Sequence, residues 1–115
     1  MPSISPFRWA VLFALAVPFS GAVAAAAAVA PAKVQQVSIS NFVFSPQVIT
    51  VTAGTTVVWT NADDDPHTVT ANDKSFHSTA MDTSERFSFT FTRPGEFAYF
   101  CSLHPHMTGK VVVKG

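Results

Sequence analysis

One short stretch constrains this chain more than any other: Cys101-Ser102-Leu103-His104-Pro105-His106-Met107. It contains the chain's single cysteine, with an imidazole at the third position after it and a thioether at the sixth. The aromatic run Phe97-Ala98-Tyr99-Phe100 leads into it, and Val111-Val112-Val113 leads away from it. Two apolar strands therefore meet at this loop, and their junction gathers sulfur and nitrogen donors at one end of a sheet. A further imidazole, His67 in Asp65-Pro66-His67-Thr68-Val69, lies far upstream. It joins the other donors only in a fold that returns a distant segment to the same end.

With 115 residues the chain has material for one domain. Charged residues make up 12% and the formal net charge is zero, so no basic surplus points to nucleic acid. The N-terminus reads as a secretory leader over residues 1–24. Arg8 supplies the positive region, residues 9–17 are apolar, and Pro18, Ser20 and Gly21 break the run before a small-x-small cut at Ala22-Val23-Ala24. Ala26 and Ala28 offer alternative cuts, which spreads the cleavage window over 24–30. No twin arginine precedes the apolar run. An uncleaved membrane anchor is the competing reading, because residues 9–30 carry no charge, but their alanine-rich second half is only weakly hydrophobic. Export implies an oxidising compartment, with no stable membrane insertion once the leader is removed. A lone cysteine in that setting is buried, metal-bound or a liability.

Residues 25–33 form a small-residue, flexible lead-in, and 34–115 form the domain. Alternation predicts strands over 34–40, with Val37 and Ile39 on one face, and over 48–52, with Ile49 and Val51 together. Residues 55–60 are β-branched and aromatic. The segment 41–46 reads as a bend carrying two core aromatics, Phe42 and Phe44. Residues 61–66, with Asp63-Asp64-Asp65, read as a solvated polar loop; they lack the spaced oxygen donors and glycine of a calcium loop. His67 is expected to open a strand over 67–71. Residues 75–84 are polar and irregular, anchored by Phe76 and Met81. Residues 86–92 place Phe87, Phe89 and Phe91 inward, and Phe97, Tyr99 and Cys101 share a face of the next strand. Gly109 is expected to precede the last strand, 110–114. Seven or eight short strands without a helical period make the chain all-β, a sandwich or small barrel.

The donor set is His67, Cys101, His104 and Met107. Thiolate and thioether are soft and suit Cu(I), while imidazole suits both oxidation states of copper. Two imidazoles, one thiolate and a weak thioether form the ligand set of a blue-copper electron-transfer site. Pro105 restricts His104 and stiffens the loop. Zinc rarely takes methionine, so the set suits it poorly. A cysteine hydrolase with Cys101 as nucleophile and His67 or His104 as base leaves Met107 unexplained and has little room for a cleft. A sandwich that binds partners without metal leaves the donor set as coincidence. His106 reads as a solvent-facing imidazole beside the site, and His77 as a surface histidine.

Taken together, Trp59-Thr60-Asn61, Pro66-His67-Thr68-Val69, Pro94-Gly95-Glu96-Phe97 and the Cys101-to-Gly109 segment resemble the cupredoxins. The short cysteine-to-methionine loop is most similar to the amicyanin branch, with the plastocyanins and pseudoazurins as relatives. The resemblance implies a Greek-key β-sandwich with one type 1 copper, a single Cu(I)/Cu(II) ion. His67, Cys101 and His104 would be its strong ligands and Met107 its weak axial one. It implies a monomeric periplasmic electron carrier and no enzyme. Its partners would be redox proteins: a donor dehydrogenase or cytochrome and an acceptor cytochrome or oxidase. A copper storage, delivery or tolerance protein is the alternative role, although the flexible Met- or His-rich tracts of a copper handler are missing. Two positions depart from the family pattern. Thr68 stands where asparagine commonly follows the first histidine ligand, and His106 stands where an apolar residue is expected beside the exposed patch.

Overall fold

The computed structural model describes residues 33–115, with Ser3 alone ahead of them. The leader, its cleavage window and residues 25–32 of the lead-in lie outside the described residues. Eight strands follow in order: β1 (Val34–Ser40), β2 (Val43–Ser45), β3 (Val48–Thr52), β4 (Thr55–Asn61), β5 (Thr70–Ala71), β6 (Arg86–Phe91), β7 (Gly95–Cys101) and β8 (His104–Lys114). They form two four-stranded sheets, ordered β2-β1-β4-β6 and β3-β8-β7-β5. The chain passes to the other sheet at every connection from β2 to β7. It thereby pairs β1 with β4 and β3 with β8 in parallel, while the other pairs are antiparallel. This is the β-sandwich expected from the alternating strands.

The alternating residues meet between the sheets. Val37, Ile39, Val57, Trp59, Phe91, Tyr99, Val111 and Val113 are all buried there. Trp59 is fully enclosed, its ring set among Phe76, Phe87 and Tyr99. Phe76 and Met81 anchor the irregular segment as expected. Of the three inward phenylalanines of β6, Phe91 is buried, whereas Phe87 and Phe89 are half-buried because β6 is the edge of its sheet.

Three expectations need correction. The bend at 41–46 is a two-residue hairpin turn at Asn41-Phe42 followed by β2, with Ser40 paired to Val43. Phe44 enters the core, but Phe42 sits at the turn tip and is 46% exposed. The strand expected over 67–71 is only Thr70–Ala71. His67 instead makes an isolated bridge with Met81, through backbone hydrogen bonds of 3.1 and 2.8 Å. The last strand begins at His104 rather than Lys110, because β8 starts pairing with β7 immediately after the turn at Ser102-Leu103.

Candidate metal centre

Three of the four candidate donors converge at one end of the sandwich. Cys101 ends β7 just after a bulge between Phe100 and Cys101, and His104 opens β8 directly opposite it. The bulge re-aims the last residue of the strand, as such irregularities do at strand ends. His67 arrives from the connection between β4 and β5. One donor atom from each of the three residues lies within 4.8 Å of the others. His67 Nδ1 is 3.7 Å and His104 Nδ1 3.6 Å from Cys101 Sγ. Cys101 and His67 are fully buried and His104 is half-buried. Met107 lies on the inward face of β8, three positions beyond His104, and is also buried. His106 and His77 are exposed.

Thr68 joins the two segments that carry the donors. Its backbone N–H donates to Cys101 Sγ at 3.3 Å. Its hydroxyl oxygen accepts the backbone N–H of Ser102 at 2.7 Å and lies 2.8 Å from Ser102 Oγ. Threonine at this position therefore ties the His67 segment to the β7–β8 turn, with its backbone on the sulfur and its side chain on the following residue.

The acidic loop is not merely solvated. Asn61, fully buried at the end of β4, donates from Nδ2 to the carbonyls of Asp65 and Met81, both at 2.9 Å. Its Oδ1 accepts the N–H of Asp63 at 2.9 Å. So held, Asp63 Oδ2 lies 2.8 Å from His67 Nε2. The same carboxylate accepts the N–H groups of Asn41, at 2.7 Å, and Phe42, at 2.9 Å. Partial desolvation pushes the Asp63 carboxyl up, but the hydrogen bonds from Phe42, Asn41 and His67 outweigh it and leave the group below the ordinary carboxylate range. With its proton on Nε2 for Asp63, the His67 ring presents the Nδ1 lone pair towards Cys101.

Phe42 completes the site from outside. Its ring stands edge-on to both imidazoles, with centroids 5.2 Å from His67 and 5.0 Å from His104 and interplanar angles of 89° and 86°. Asp63, Asn61, Ser102 and Phe42 were all missed by sequence reasoning. The available signals were the Asn61–Asp65 run lying just before a candidate ligand and Asn61 in the segment that carries the family resemblance.

Two nitrogen donors and one sulfur in a buried cluster suit copper or zinc and not calcium or magnesium, which take oxygen ligands. The nearest carboxylate, Asp63, is committed to hydrogen bonds. A buried thioether close by on the same strand favours copper, since zinc rarely takes one.

The sequence matches the Cupredoxin-like domain family over residues 10–113. It is 34% identical over 94 residues to an amicyanin of Paracoccus versutus, covering 77% of this chain and 71% of that protein. Among solved structures, an amicyanin point mutant in its oxidised state superposes with a TM-score of 0.67 at 32% identity, covering 75% of this chain and 86% of the other. The copper-containing nitrite reductase of Thermus scotoductus SA-01 gives 0.66 at 31% identity; the match covers 70% of this chain but only 22% of that longer one. Family match, sheet order and donor cluster agree, and the chain belongs to the cupredoxins.

Proposed function

We propose that this protein is a type 1 blue-copper electron carrier that works in the periplasm. His67, Cys101 and His104 would hold the copper as strong ligands, with Met107 as the weak axial one. The observation that carries this reading is the convergence of His67 Nδ1, Cys101 Sγ and His104 Nδ1 within 4.8 Å in a buried, hydrogen-bonded cluster. The copper supplies a one-electron couple when bound.

The chain's contribution is to keep the donors still. Asp63 holds the His67 ring, and Thr68 holds the Cys101 sulfur and the turn after it. Donors that are already positioned need little rearrangement when the charge of the site changes, and this suits fast electron exchange. Burial of Cys101 keeps water and oxidants from the sulfur. Of the three clustered donors only His104 is half-buried, and it stands beside exposed Leu103 and Phe42. That apolar rim suits brief docking by redox proteins, a donor dehydrogenase or cytochrome and an acceptor cytochrome or oxidase. The chain would act as a monomer and catalyse no reaction of its own. The leader of residues 1–24 supports export.

The test is the visible spectrum of the mature protein with Cu(II). An intense band near ~600 nm that vanishes in Cys101→Ser and bleaches reversibly with a one-electron reductant is the expected result. A colourless or weakly absorbing complex refutes the carrier reading, and copper that leaves on reduction identifies a delivery protein.

A further inference from the structure

We propose that Asp63 is a positioning residue that fixes the metal centre and its surface cap as one unit, by holding both the His67 ring and the turn that carries Phe42. This rests on the reading of His67 and His104 as metal ligands.

Asp63 Oδ2 accepts from two donors that belong to different parts of the chain, His67 Nε2 and the Phe42 N–H. Oδ1 takes the Asn41 N–H. The first contact selects one His67 tautomer. A carboxylate oxygen at 2.8 Å needs a proton on Nε2, which leaves the Nδ1 lone pair free on the side of Cys101. The opposite tautomer would set a lone pair against the carboxylate and turn an N–H towards the donor cluster. The second and third contacts hold an unusual backbone. Asn41 and Phe42 have φ of +54° and +60°. A two-residue hairpin turn of this kind favours glycine at its second position, and a bulky side chain in the left-handed region is uncommon. Phenylalanine stays there because both turn N–H groups point into one carboxylate. In that conformation its ring covers His67 and His104 together. One side chain thus sets which atom His67 offers and where the aromatic cap lies. Asp64 and Asp65, exposed on the same loop, make no side-chain hydrogen bond among the described residues. Their charges lie near the site without its contacts.

The experiment compares Asp63→Ala, Asp63→Glu and Asp64→Asn with the unchanged protein in three measurements. Nitrogen NMR of the His67 imidazole in the copper-free protein reads the tautomer. Cu(I) transfer to excess chelator reads retention. Electrochemistry reads the midpoint potential. Asp63→Ala removes both carboxylate oxygens, so the His67 Nε2–H and the two turn N–H groups all lose their acceptor. The expected result is loss of the pure Nε2–H tautomer, copper release about 10- to 100-fold faster, and a raised potential, since a negative charge beside a ligand is gone. Asp63→Glu restores part of all three, and Asp64→Asn changes release less than about 2-fold. Unchanged tautomer and release in Asp63→Ala overturn the proposal. So does an equal effect of Asp64→Asn, which would assign the role to bulk charge. The NMR arm needs no metal, so it decides the role of Asp63 at the His67 ring even where the unchanged protein fails to form a blue complex and the carrier reading falls.

Discussion

Gly109→Ala is the substitution for which the structure and ordinary expectation disagree most. Glycine within a strand is usually a weakness, and alanine at a compatible position stabilises by about 0.4–1 kcal/mol through the unfolded chain. Gly109 lies on β8 directly opposite Tyr99 of β7, and the tyrosine ring crosses the strand over it. A Cβ at this position would overlap Tyr99 Cζ and Oη and would sit 2.8 Å from Cε2. The ring has no room to retreat: Tyr99 is 1% exposed, with Phe44 at 4.8 Å and Trp59 at 5.5 Å between ring centroids. Overpacking of this kind costs about 1–3 kcal/mol. Set against the alanine gain, the mid-range net loss is about 1.3 kcal/mol, or roughly 5–10 °C in Tm for a domain of this size. Gly109 and Tyr99 each lie two residues from a candidate ligand, so the copper-binding end is disturbed as well. Calorimetry of the copper-free protein measures the loss. Combining the change with Tyr99→Leu, which removes the overlapping atoms, should give a double variant less destabilised than the sum of the two. An equal or higher Tm in Gly109→Ala, or strict additivity of the pair, refutes the steric argument.

Four further outcomes follow from the geometry. Burial pushes the Tyr99 phenol up to about 12, a contact with the Trp59 indole opposing it only in part. The unfolded chain ionises near ~10, so stability held below that pH falls by up to about 2–3 kcal/mol as pH rises towards ~12. Tyr99 is the only tyrosine, so phenolate absorbance reports it alone, and urea unfolding of Tyr99→Phe should lack the alkaline decline. Thr68→Val keeps the N–H on Cys101 Sγ but deprives the Ser102 N–H of its acceptor, at a cost of about 1–3 kcal/mol; an unchanged urea midpoint would show that the tie carries no load. Phe42→Gly relieves the positive φ while losing a ring that is already 46% exposed, so stability should stay within about 1 kcal/mol. The same variant should acylate faster at His104 in the copper-free protein, read by peptide mapping, because its cover is gone.

The strands were legible because their information is local. Alternation at Val37 and Ile39, at Ile49 and Val51 and along β6 marks which face meets the core, whatever the partner strand is. Cys101 and His104 were legible because a tight loop keeps them together in sequence and in space. The start of β8 at His104 was hidden because Pro105 and His106 break the apolar pattern, and pairing with β7 decides the boundary instead. Phe42 was misplaced because an aromatic between Asn41 and Val43 carries no sequence mark of a turn tip; hydrophobicity alone assigns it to the core.

From the chain alone came the fold class, the donor types and the order in which they occur, since each depends on neighbours only a few residues apart. The tertiary structure decided how the donors are held. Asp63 reaches Asn41, Phe42 and His67 through contacts that exist only once β1 lies beside β4, and Thr68 reaches Ser102 only once β5 pairs with β7. A hydrogen bond depends on distances of a few tenths of an ångström, and residues far apart in sequence reach them only through strand register.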